Sequence, residues 1–162
     1  DKTKREILVL RNKIRNHAES GRFTQEDHFH LTLVFLGEVP EERLQEISNI
    51  MNSIKWNSFP LILDRVGTFQ REGGDLYWLG CEKCPLLMKL QKELADRLRV
   101  AGFNIEFRTY MPHLTIGRQV TSKKVQEPDF PNILYPVTHF SLMQSQRIGG
   151  KLIYTEIYRC QP

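Results

Sequence analysis

The chain has 162 residues, 40% of them hydrophobic and 26% charged, proportions that fit a folded globular domain and exclude a disordered or fibrous one. Lys+Arg 23 against Asp+Glu 19 leaves a net charge of +4, a mild basic excess that suits an anionic ligand without requiring nucleic acid. No unbroken aliphatic or aromatic run exceeds the length of Leu33-Val34-Phe35-Leu36, far short of a bilayer span. Asp1 to Arg5 leads into only a short apolar stretch, which does not read as a secretory leader. Three cysteines cannot build a disulfide framework, so the expectation is one soluble, cytoplasmic domain over residues 1–162.

Ile7, Leu10 and Ile14 recur at helical spacing and predict a helix from residue 3 to about 17. Phe29 to Leu36 alternates, is rich in Leu, Val and Phe, and reads as a strand ended by Gly37. Pro40, Glu41 and Glu42 form the first turn of a helix through Leu44, Ile47 and Met51. Leu61 to Leu63 and Leu76 to Cys81 read as strands joined by a turn at Arg71 to Asp75. Pro85 opens a second clear helix, with Leu87, Leu90, Leu94, Leu98 and Ala101 on one stripe and Gly102 as its stop. A short strand, His113 to Ile116, follows Pro112, and the prolines and polar groups of residues 118–136 predict a long surface loop. Phe140 to Ser145 and Leu152 to Tyr158 make a hairpin turning at Gly149-Gly150. This order of elements implies an α+β protein with sheet and helix layers.

Two segments carry chemistry: His30-Leu31-Thr32-Leu33 and His113-Leu114-Thr115-Ile116. In a chain of this composition chance gives only about 0.03 His-Leu-Thr triplets, and two occur, both in segments read as strands. Alternation along a strand puts His30 with Thr32, and His113 with Thr115, on one face, with the leucines on the opposite, buried face. One neutral imidazole can take a proton from water while one imidazolium gives a proton to a leaving oxygen. Two threonine hydroxyls can donate to the non-bridging oxygens of a phosphate, and a phosphodiester also suits the basic charge. A metal site is the competing chemistry, and the weaker one. Threonine is a poor ligand, and no carboxylate stands at helical or strand spacing from either histidine.

The motifs, in HFHLTLVFLGEV and MPHLTIGR, resemble those of the two-histidine (2H) phosphoesterases. Within that superfamily the chain is most similar to the RNA 2',3'-cyclic phosphodiesterases, historically called 2'-5' RNA ligases. The likeness runs from residue 3 over nearly the whole chain, through Tyr77-Trp78-Leu79-Gly80, the helix from Pro85 to Gly102 and the closing LMQSQRIGGKLIYTEIYR. The resemblance implies a bilobal α+β fold with two antiparallel sheets flanking a central cleft, helices outside, and one motif strand from each lobe. It further implies hydrolysis of a 2',3'-cyclic phosphate at an RNA end to a 2'-phosphate, with no cofactor and no metal, together with reverse 2'-5' ligation. Partners would be RNA with such ends or cyclic nucleotides, with no membrane, and the protein would be a monomer. Carried over by position, His30 is the proton donor to the leaving 3'-oxygen and His113 the acceptor that activates water. The motifs by themselves leave these two roles interchangeable. Thr32 and Thr115 would bind phosphate oxygens, Arg118 would stand near the phosphate, and Phe35 would line the base pocket.

Two points depart from the simple pattern. Arg118 has the wrong strand parity for the face of His113 and Thr115, and reaches it only if Gly117 breaks the strand by a bulge or an end. Family members begin with a short apolar strand, whereas this sequence opens at the first helix, which implies either a sheet one strand shorter or residues that precede Asp1. A non-catalytic module that binds RNA ends or nucleotides on the same fold is the alternative function. Cys81-Glu82-Lys83-Cys84 has the spacing of a redox pair but no proline or glycine between the thiols, and reads as incidental. His17, His28 and His139 read as ordinary surface or strand residues, and Gly149-Gly150-Lys151 as a hairpin turn without phosphate-loop spacing. Lys123, Lys124 and Arg71 read as solvated charges that can help hold an RNA backbone.

Overall fold

Ile7, Leu10 and Ile14 make α1 (Lys2–His17) a one-sided helix, and all three are buried. The computed structural model describes residues 2–122 and 132–162. The chain divides into two compact units, the first holding residues 1–32, 60–83 and 111–135, the second residues 33–59, 84–110 and 136–162. The α+β class is as expected. Both His-Leu-Thr motifs fall in the first unit rather than one in each, because a bridge between Leu31 and Leu114 ties the first motif to the strand of the second.

The first unit is built on a five-stranded sheet in the order β1-β4-β3-β2-β5, with β1 Ser20–Phe23, β2 Phe59–Phe69, β3 Asp75–Cys81, β4 His113–Thr121 and β5 Ile133–Val137. The β1–β4, β4–β3 and β3–β2 ladders are antiparallel. Helix α1 is tied toward both edges of this sheet: Arg11 Nη1 donates to the Thr24 carbonyl (2.7 Å) just beyond β1, and Thr3 Oγ1 to the Leu134 carbonyl (3.2 Å) in β5. Tyr77, Leu79, Leu114, Ile116 and Val120 are buried in the sheet, Leu79 and Ile116 completely. Burying one such aliphatic side chain is worth about 1.5–3 kcal/mol, so the centre of the sheet is anchored where β3 meets β4.

The second unit packs α2 (Leu44–Ser53) and α3 (Pro85–Val100) with a two-stranded sheet of β6 (Phe140–Ile148) and β7 (Lys151–Cys160). A 3-10 turn, Glu41–Arg43, leads into α2, and its Arg43 guanidinium lies 3.7 Å from the Phe103 ring centroid while donating to the Ala101 carbonyl. Gly102, at φ 82°, ends α3 as the sequence requires. Trp56 meets Phe140 edge-on at 5.5 Å, and Tyr158 donates its hydroxyl to Asn52.

Two sequence expectations are corrected, and one element was not foreseen. Phe29 to Leu36 is not a strand: it follows a 3-10 turn, Glu26–His28, and only Leu31 joins the sheet, as an isolated bridge. Residues 118–136 are not one loop, since β4 runs on to Thr121 and Ile133–Val137 forms the sheet edge β5. Proline at position 136 suits an edge strand, where one face of the backbone has no ladder partner to supply. Strand β1 is an element that sequence periodicity did not announce, because Ser20-Gly21-Arg22 presents no apolar side chain.

Candidate active site

Pairing of Leu31 with Leu114 sets the geometry of the site. The pairing is antiparallel, so the first motif runs past the second head to tail: His30 stands beside Thr115, and Thr32 beside His113. Paired residues share a face, which puts the two leucines on one side and both histidines and threonines on the other. Leu114 also pairs with Leu79 of β3, so the first motif occupies the β1 side of β4. Exposure follows this alternation: His30 and Thr32 are exposed and Leu31 and Leu33 less so, while His113 and Thr115 are half-buried around a buried Leu114.

Each imidazole is anchored in the same way. His30 Nδ1 lies 2.8 Å from the His28 carbonyl, and His113 Nδ1 lies 2.8 Å from the Met111 carbonyl. A carbonyl only accepts, so each Nδ1 carries the hydrogen and donates it. This bond fixes the orientation of each ring, which cannot swing while it holds. The equivalence of the two anchors, both to the residue two places earlier, makes the pair locally two-fold.

β4 then bulges. Trp78 pairs with Thr115 but Tyr77 with Gly117, so Ile116 and Gly117 together face Tyr77. The extra residue reverses parity, and Arg118 emerges on the face of Thr115 and His113. A second irregularity follows at Gln119, whose φ is 53° and against whose backbone Gly74 packs so closely that an added Cβ would stand 2.6 Å away. Among the described residues Arg118 makes no ion pair. Phe35, 76% exposed, belongs to the second unit.

Two aromatics that the motifs did not announce line this face. Phe69 meets the His113 ring edge-on at 5.5 Å, and Trp78 meets it at 6.2 Å while stacking on Phe69 at 5.2 Å. The indole lies over Gly67, where a Cβ would stand 2.2 Å from Cζ2. The signal for them was the alternation of β3, which puts Trp78 in register with Thr115. Tyr77 points to the opposite, buried side, and burial, followed by the Asp75 carboxylate, pushes its phenol up. It therefore stays protonated at neutral pH and is no candidate base.

Of the other residues weighed from sequence, Cys81 is buried at the end of β3, Cys84 holds the N-cap position of α3, and neither forms a disulfide among the described residues. His139 lies beside the Thr138 hydroxyl, in the second unit, and Gly149-Gly150 turns the β6–β7 hairpin. Arg71 is exposed in the β2–β3 turn, and Lys123 and Lys124 lie outside the described residues. No described helix is long and apolar enough to cross a membrane.

Two carbonyl-anchored imidazoles thus stand with a threonine beside each on one face of an α+β fold. Residues 1–76 match the family described as LigT-like phosphoesterase. An RNA 2',3'-cyclic phosphodiesterase of Thermotoga maritima is 31% identical over 99% of this chain and 90% of its own length. One from Escherichia coli is 33% identical over 87% of this chain and 80% of its own. Among solved structures, E. coli LigT complexed with 3'-AMP superposes with a TM-score of 0.87 at 31% identity, covering 99% of this chain and 91% of that one. TT0787 of Thermus thermophilus, 22% identical, shares the fold at a TM-score of 0.78. The chain belongs to the LigT-like phosphoesterase family.

Proposed function

We propose that this protein is an RNA 2',3'-cyclic phosphodiesterase that opens the cyclic phosphate at an RNA end to a 2'-phosphate by acid–base chemistry between His30 and His113. The observation that carries the reading is the head-to-tail pairing of the two motifs about Leu31 and Leu114, with both Nδ1 atoms tied to backbone carbonyls. His113 Nε2 takes a proton from water as the water oxygen bonds to phosphorus. The bond from phosphorus to the 3'-oxygen breaks, and that oxygen takes the proton from His30 Nε2. The products are a 2'-phosphate and a free 3'-hydroxyl, and the two histidines end with their protons exchanged. Thr32, Thr115 and the Arg118 guanidinium hold the non-bridging oxygens, where negative charge grows in the transition state. The same proton transfers serve when a 5'-hydroxyl replaces water, which gives a 2'-5' linkage. Which histidine acts as acid follows the family, because both imidazoles carry the same backbone-carbonyl anchor.

Phe35, with its exposed ring, is the proposed contact to the terminal base, and the single chain carries both imidazoles, so the reaction needs no second copy. Cys81, Cys84 and Cys160, which form no disulfide among the described residues, suit the reducing cytoplasm in which RNA ends are processed.

The test is turnover of an oligonucleotide ending in a 2',3'-cyclic phosphate in excess chelator, with product analysis. A 2'-phosphate made at an undiminished rate is expected. Loss of turnover on chelation, or a 3'-phosphate product, overturns the mechanism. Tight binding without turnover favours the non-catalytic module.

A further inference from the structure

The register of the sheet points to a second anion site beside the first, and we propose that Arg22 binds the phosphodiester one nucleotide upstream of the reacting phosphate. The inference deepens the reaction proposed above and rests on it for the identity of the ligand.

Arg22 pairs directly with Arg118 across the β1–β4 ladder. Paired residues share a face, and the β4 bulge at Ile116 and Gly117 has already put Arg118 on the face of Thr115 and His113. Arg22 is therefore on that face too. Its neighbour Phe23 pairs with Gly117 on the opposite side, where an added Gly117 Cβ would meet the Phe23 ring at 3.3 Å. The lane continues from β1 into the first motif, since the Thr24 amide donates to the Ile116 carbonyl and Leu31 then pairs with Leu114. Along two neighbouring lanes the face thus presents Thr32 beside His113, His30 beside Thr115, and Arg22 beside Arg118.

Like charges placed directly opposite each other on a sheet repel and cost stability. Here nothing offsets the cost: among the described residues neither arginine makes an ion pair or a side-chain hydrogen bond. Both are exposed. Two unpaired guanidiniums in register, next to a phosphate site, fit two consecutive phosphates of one strand. Arg118 lies on the motif strand and serves the terminal phosphate. Arg22 lies one strand further out, about 5 Å away in backbone, and its long fork reaches the next. A mononucleotide has no such group, so Arg22 distinguishes an RNA end from a free cyclic nucleotide.

Arg22→Ala and Arg22→Lys test this, with a uridine 2',3'-cyclic phosphate and a trinucleotide ending in the same group as substrates. Arg22→Ala is expected to lower kcat/KM for the trinucleotide about tenfold more than for the mononucleotide. It should also flatten the dependence of trinucleotide kcat/KM on log salt by about one phosphate contact. Arg22→Lys should recover part of the loss. An equal loss on both substrates, an unchanged ratio, or a lowered melting temperature would overturn the assignment. Binding of the corresponding 2'-phosphate-ended trinucleotide and mononucleotide is measured alongside. If the wild type turns over neither cyclic substrate, the proposed reaction fails, while the binding ratio still decides for or against Arg22.

Discussion

The strand that opens with His113-Leu114-Thr115 has a ladder on each edge, β3 on one side and β1 with Leu31 on the other, whereas His30-Leu31-Thr32 is an extended segment joined to the sheet by an isolated bridge. His113 is half-buried and backed by the rings of Phe69 and Trp78; His30 is exposed. Identical triplets therefore reach equivalent positions about a local two-fold by different means. One is held by the sheet interior, the other by a backbone bridge and a carbonyl anchor. The two imidazoles share a backbone anchor, to the carbonyl two residues earlier, but not a depth of burial.

The strongest test of that equivalence is to remove each imidazole in turn. His30→Ala and His113→Ala should each lower kcat by on the order of 10²–10⁴, and the wild-type rate should rise and fall with pH, since one ring must be charged while the other is neutral. Near-normal turnover in either variant breaks the pair. Gly67→Ala acts on one side only. The new methyl collides with the Trp78 indole, which must shift against His113, and about 1–3 kcal/mol of stability should be lost. Turnover should fall by roughly tenfold to a hundredfold through misplacement of that ring. A variant whose melting temperature and kcat both match the wild type would show that the aromatic backing is idle. The smallest effect separates the settings without touching chemistry. In hydrogen exchange the Ile116 amide should approach the protection of global unfolding, and amides at Leu31 to Leu33 should exchange at least tenfold faster. Equal protection would mean that the first motif is as firmly held as β4.

Much of this protein was legible from local pattern. Helical spacing at Ile7, Leu10 and Ile14 and at Leu87, Leu90, Leu94 and Leu98 specified α1 and α3, because a one-sided apolar stripe has a single way to be buried. The doubled His-Leu-Thr pattern named four residues and their common face, because alternation needs only an extended backbone and survives even where the first segment fails to become a strand. Other features depend on partners distant in sequence. Leu33, Val34 and Leu36 have the composition of a strand, yet strand pairing is decided by what lies alongside, and Phe29–Leu36 gains only one bridge. Arg118 changes face only because β4 takes in an extra residue opposite Tyr77, a fact of register between strands that parity counted along one strand cannot contain. Arg22, Phe69 and Trp78 reach the site by cross-strand pairing from three other strands. The two His-Leu-Thr motifs are local in sequence, but the face that surrounds them exists only once β1, β2, β3 and β4 lie side by side.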